Sequence, residues 1–179
     1  MAVLIAVLLA AGCASSERFL WEEYTGEAVG SMGAERYARA ERFLNLALGK
    51  AETLGDHARG ISLNAFGEFY RRQRRYEEAV DFFFLALQAK EAALGPAHPD
   101  VAVTLTNLAL VYAAEGQTES AETLLERARA IQEQERVSPR ARVRTLTALA
   151  AVYRKNGREA AADALDERVR AMRAADAER

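Results

Sequence analysis

Leu63-Asn64-Ala65-Phe66-Gly67-Glu68-Phe69-Tyr70, Leu105-Thr106-Asn107-Leu108-Ala109-Leu110-Val111-Tyr112 and Leu146-Thr147-Ala148-Leu149-Ala150-Ala151-Val152-Tyr153 are one pattern written three times, with tyrosines 42 and 41 residues apart. Beyond each tyrosine an alanine follows at the same interval (Ala79, Ala121, Ala162), and then a second small or branched residue (Ala86, Ala128, Val169). A period of this length marks one supersecondary unit stacked on its neighbours. Apolar residues return every three or four positions, as at Phe82, Phe83, Ala86 and Leu87, so each unit reads as a pair of helices with one buried stripe apiece. Gly67, Ala109 and Ala150 let a second helix approach closely, and the tyrosines fill the space beside them.

The punctuation between helices agrees. Gly116 and Gly157 suit the left-handed residue that closes a first helix, and Leu94-Gly95 closes a second. Pro99 and Pro139 suit first-turn positions, with Ser138 as a cap. Gly30-Ser31-Met32-Gly33 reads as a helix interruption. With 38 alanines and 8% aromatic residues in a chain of 179, close-packed helices are favoured over a β-fold.

This repeat resembles the tetratricopeptide repeat, in its long kinesin-light-chain-like variety. Ala93-Leu94-Gly95-Pro96-Ala97-His98-Pro99-Asp100-Val101-Ala102 is very similar to that variety's connector between repeats. The resemblance implies an all-α fold, a right-handed α-solenoid of about four tetratricopeptide helix pairs. The repeats fall at about 18–55, 58–95, 100–135 and 139–175, the first of them degenerate around Trp21. Arg74 stands where a turn glycine is usual, and Asp166 where an aromatic core residue is usual. A polar last helix suits a solenoid end, on which nothing stacks.

The N-terminus carries a different signal. An uncharged apolar run from Ala2 to Ala11 leads to Cys13, the only cysteine. As a helix it spans about half a bilayer core, which fits a secretory signal better than a membrane span. Leu9-Ala10-Ala11-Gly12-Cys13 resembles the lipobox of bacterial lipoproteins. That resemblance implies a cleaved signal at 1–12, lipid attachment at Cys13, a tether at 13–17 and the repeat domain at 18–179. Multiple acyl chains anchor firmly. Ala14, in place of a retention aspartate, points to the outer membrane, with the protein facing the periplasm. Ordinary secretion, or a buried N-terminal helix in a cytoplasmic adaptor, are the other readings of this run.

Lys and Arg number 24 against 26 Asp and Glu, which argues against nucleic acid as the main partner. One cysteine and two histidines assemble neither a disulfide framework nor a Cys/His zinc site within one chain. His57 and His98 lie in connectors, where solvation or capping explains them. No nucleophile elbow or phosphate-cradling loop is present, so no catalytic residue, cofactor or metal is expected, and no enzyme activity.

In the family, first helices line a groove that holds a peptide or a helix of another protein. On matching positions that implies Asn64, Glu68, Arg71 and Arg72, then Thr106, Asn107 and Leu110 with Ala113, then Arg144, Thr147, Arg154 and Lys155 with Ala151. Asn64 and Asn107 have amides that can grip an extended backbone, or that can link neighbouring first helices. Five cations at these positions outnumber Glu68 and Glu22 by three, whereas the chain carries a net charge of −2. An acidic or carboxylate-ended partner segment is therefore expected, held by arginine forks. Leu46, Phe84 and Leu85 take outward positions on second helices, either as a convex apolar patch for a partner or a second copy, or as a surface covered by the N-terminal helix. The whole reads as a lipid-anchored envelope scaffold that helps assemble a protein complex. The alternative is a non-catalytic regulatory subunit of an envelope hydrolase or polysaccharide exporter.

Overall fold

The computed structural model describes the backbone of residues 2–134 and 137–177, and side chains from Ser15 onward within those ranges. The described residues form helices α1 (Ala2–Gly33), α2 (Tyr37–Leu54), α3 (Asp56–Arg72), α4 (Tyr76–Leu94), α5 (Pro99–Ala114), α6 (Thr118–Gln134), α7 (Pro139–Lys155) and α8 (Glu159–Ala177). They fall into two compact units, 1–93 and 94–179. The four expected pairs are α1/α2, α3/α4, α5/α6 and α7/α8. Cys13 lies in α1, but its side chain lies outside the described residues, as does the 135–136 connector.

In the first unit, Ala28, Met32, Ala40, Leu44, Ala65, Phe66 and Phe69 form a core shared by α1, α2 and α3. Phe66, Tyr70 and Phe82 stack beside it with ring centroids 4.9–6.4 Å apart. Trp21 Nε1 donates to Ser62 Oγ at 2.9 Å, which ties α1 to α3. Lys50 holds Glu17 at 2.8 Å, so the chain is already docked at the last residue of the expected tether. The expected interruption at Gly30 is absent: α1 continues to Gly33 because Ser31 and Met32 are buried and anchor its last turn. Met32 belongs to the core itself.

In the second unit, Ala109, Ala121, Leu125, Leu149, Ala150, Val152, Tyr153 and Ala162 make the corresponding core. His98 Nδ1 accepts from the Asp100 N–H at 3.1 Å and caps α5, and Ser138 Oγ accepts from the Ala141 N–H at 3.3 Å and caps α7. Pro99 and Pro139 occupy first-turn positions, where no N–H is missed. α8 buries only Ala162 and Val169, as befits a terminal helix.

The turn after each first helix uses a left-handed residue. It is Gly116 (φ 82°) after α5 and Gly157 (φ 72°) after α7, but Arg74 (φ 60°) after α3 and Glu35 (φ 56°) after α1. Residues 35 and 74 thus do a glycine's task with a side chain attached, at a cost of about 1 kcal/mol each. An arginine covers the repeat tyrosine in two pairs: Arg75 lies 4.4 Å over the Tyr70 ring and Arg158 lies 3.9 Å over Tyr153.

Candidate functional site

The first-helix positions are built differently in the two units. On α3, Asn64 and Glu68 are half-buried, and Glu68 is the hub of an ion-pair clamp. Arg71 Nε and Nη2 reach its two oxygens at 2.7 and 2.8 Å, and Arg72 Nε reaches one of them at 2.9 Å. Burial alone works to raise the Glu68 carboxyl. Hydrogen bonds and charge from Arg71 and then Arg72 outweigh it and hold the group below the usual carboxylate value. The Arg71 guanidinium is pushed up in return, chiefly by the Glu68 hydrogen bond. The two arginine forks expected to meet a partner carboxylate therefore already hold an internal one.

On α5, Thr106 and Asn107 are only 2% and 3% exposed. Thr106 Oγ1 lies 2.9 Å from Thr145 Oγ1 of α7 and 2.9 Å from the Ala102 carbonyl oxygen, so it links two first helices rather than facing solvent. Leu110 and Ala113 are half-buried. On α7, Arg144, Thr147, Ala151, Arg154 and Lys155 are exposed. Arg154 contacts Asp166 at 2.5 Å, Asp163 at 3.0 Å and Glu159 at 3.7 Å. Lys155 Nζ donates to the Ala113 carbonyl at 3.1 Å and spans α7 to α5. Three carboxylates around one guanidinium reverse the local charge, and the basic surplus counted along the first helices does not persist at this end of α7. The acids on second helices, invisible to a count confined to first helices, supply the difference.

Leu46, Phe84 and Leu85 are exposed by 41%, 48% and 43%, and the N-terminal helix does not cover them. Phe19 and Val29 of α1 are also exposed, and neither stood out in the repeat pattern because their helix is the degenerate one. Pattern reading also missed the bridge from Tyr153, which donates its hydroxyl to Glu126. Burial first, and then the Glu126 carboxylate, raise the Tyr153 hydroxyl above its ordinary value. A tyrosine with a glutamate on the preceding helix 27 residues back is the available signal. Among the described residues no group of three metal-ligating side chains is gathered. No described helix is long and apolar enough to cross a membrane.

Paired helices with a short period, closed by left-handed residues and packed through small-residue contacts, define an all-α repeat module of the protein-interaction class. Two tetratricopeptide-repeat family models match the chain, over residues 59–134 and 142–175, and the chain belongs to the tetratricopeptide-repeat family. Among solved structures it is similar to BtubC (BKLC) from P. vanneervenii, with 25% identity, 89% of this chain covered and a TM-score of 0.77. It spans 65% of that protein's length. Two structures of a putative kinesin light chain from Podosopora anserina, described as having nearly identical TPR-like repeats, match at 26% identity. Their TM-scores are 0.67 and 0.64, covering 89% and 86% of this chain and 77% and 75% of theirs. The kinesin-light-chain-like character of the repeats is thus shared with solved relatives. No curated protein sequence matches. Tetratricopeptide repeats are protein-interaction scaffolds and are generally non-catalytic.

Proposed function

We propose that this protein is a non-catalytic, lipid-anchored adaptor of the bacterial cell envelope that binds a segment of another protein along its first-helix faces. The observation that carries the binding face is α7: Thr145, Leu146, Ala148, Leu149 and Ala150 are buried, while Thr147 among them and Arg144 and Ala151 on either side stay open. Leu110 and Ala113 on α5 supply apolar contact. The preference for an acidic segment rests on Arg144 and Lys155, two exposed cations of α7. Anchoring rests on Leu9-Ala10-Ala11-Gly12-Cys13, and the outer-membrane destination on Ala14.

Co-purification from detergent-solubilised envelope, with the full chain as bait, tests the adaptor reading. One defined partner is expected, and Ala151→Glu should lose it while helicity is kept. Retention of the same partner by that variant would overturn this binding face. A mass increase at Cys13 that disappears in Cys13→Ser tests the anchor, and an unmodified N-terminal methionine would sink it. The exposure of Phe84, Leu85 and Leu46 favours a second contact surface on the outward side of α2 and α4. If Phe84→Glu leaves both the partner and the oligomeric state unchanged, that surface is not used.

A further inference from the structure

The outward pair of residues on each second helix changes character along the chain. It is Asn45-Leu46 in α2 and Phe84-Leu85 in α4, but Glu126-Arg127 in α6 and Glu167-Arg168 in α8. The repeat therefore accepts charge at these positions, and packing within a helix pair does not call for the apolar residues of the first unit. Among the described residues every exposed large apolar side chain belongs to that unit: Leu46, Phe84 and Leu85 on second helices, with Phe19 and Val29 on α1.

Within that unit α2 and α4 advance together. Leu44 and Phe82 belong to one core cluster, and Leu48 and Ala86, one turn further along each helix, belong to the next. Equivalent positions stand 39 residues apart, as the buried pairs Ala40 and Ala79, Leu44 and Phe83, and Ala47 and Ala86 show. Arg42 and Asp81 are an exposed pair at the same offset, and one turn beyond them on the same faces come Leu46 and Leu85. Among the described residues neither Arg42 nor Asp81 has an ion-pair partner, and Arg42 has only the Phe43 ring, 5.9 Å from its guanidinium. The two neighbouring helices thus carry opposite unpaired charges at one height and apolar residues at the next.

We propose that this side of α2 and α4 docks a second copy of the chain, in a two-fold dimer whose axis runs along the helices between them. Such an axis lays each α2 over the α4 of the other copy at the same height, and every contact occurs twice. Arg42 of each copy meets Asp81 of the other, and Leu46 meets Phe84 and Leu85. Withdrawal of the apolar side chains from water drives association, and the two ion pairs fix its register. The match is specific to a copy of this chain, because base and acid hold equivalent positions on adjacent helices. With glutamate and arginine at the outward positions of α6 and α8, the second unit has no such face. The dimer rests on the reading of this side as a contact surface and is independent of the first-helix face.

Sedimentation of the detergent-solubilised full chain should show a monomer–dimer equilibrium. Arg42→Asp and Asp81→Arg should each weaken the dimer about tenfold or more, since each sets like charges against one another twice. Mixed in equal amounts, the two variants should associate as strongly as the unaltered chain, because both ion pairs are restored between unlike copies. A role for either charge within one chain cannot produce that rescue. A chain that stays monomeric, single variants as dimeric as the unaltered chain, or a mixture that fails to associate would each overturn the dimer. If the chain is monomeric and Phe84→Glu instead loses the envelope partner, the contact surface stands and only its occupant is changed. If Phe84→Glu alters neither, the surface reading falls with the dimer.

Discussion

The α3/α4 and α5/α6 pairs solve one packing problem with opposite choices of size. In the first, Gly67 faces Phe83, and a Cβ at Gly67 would lie 2.6 Å from the ring. At the same two positions one period later stand Ala109 and Leu125, both fully buried. A larger side chain on the second helix requires a smaller one on the first, because the interhelical space is set by the repeat and packed to interior density. The pairs differ on the candidate face as well: Glu68 with its arginine clamp in α3 becomes Leu110 in α5, and Arg71 becomes Ala113. What repeats is the volume of the pair, and what varies is the chemistry presented.

Six variants can break or sharpen this comparison. Phe83→Ala should have the largest effect, destabilising by about 3–5 kcal/mol in urea unfolding, because it leaves a cavity that Gly67 cannot help fill. Gly67→Ala comes next, at about 1–3 kcal/mol through overpacking. Adding Phe83→Leu to Gly67→Ala recreates the α5/α6 combination and should recover most of that loss. If the double variant is no more stable than Gly67→Ala alone, the two positions do not share one volume.

Acid sensitivity should also differ between the pairs. The Glu68 carboxyl holds its proton more weakly in the folded chain than in the unfolded one, so its contribution is complete above the ordinary value of 4.5 and is lost as pH falls through and below it. Glu68→Leu, which gives α3 the residue of α5, should flatten stability against pH as pH falls below the ordinary carboxylate value. An unchanged slope would remove the clamp from the account. The smallest effect belongs to the turns: Arg74→Gly should stabilise by about 0.5 kcal/mol, strain relief partly offset by the freedom glycine adds to the unfolded chain. Gly116→Arg should cost a similar amount, and equal signs for the two would overturn the reading of these turns.

Much of the fold is legible in the octapeptides and in the residues between them. Their period, the small residues within them and the turn residues after them yield three of the four helix pairs, α3 to α8, with first-helix ends placed to within a residue or two. Arg74 stands out in sequence as a departure, and the structure keeps it left-handed, because the chain must still reverse there. The candidate face is less legible. Thr106 and Asn107 share a stripe with Leu110 on any helical projection, yet both are buried, Thr106 against Thr145 of α7. Arg154 looks like a free cation until α8 folds back and brings Asp163 and Asp166 to it.

Helix identity, pairing and the exclusion of disulfide and Cys/His zinc chemistry followed from the sequence by itself, because they depend on local periodicity, turn conformation and the presence of particular side chains. Which charges cancel and which threonines meet across helices were decided only in the tertiary structure. Those properties depend on distances between residues 9 to 39 positions apart in the chain, and packing alone sets them.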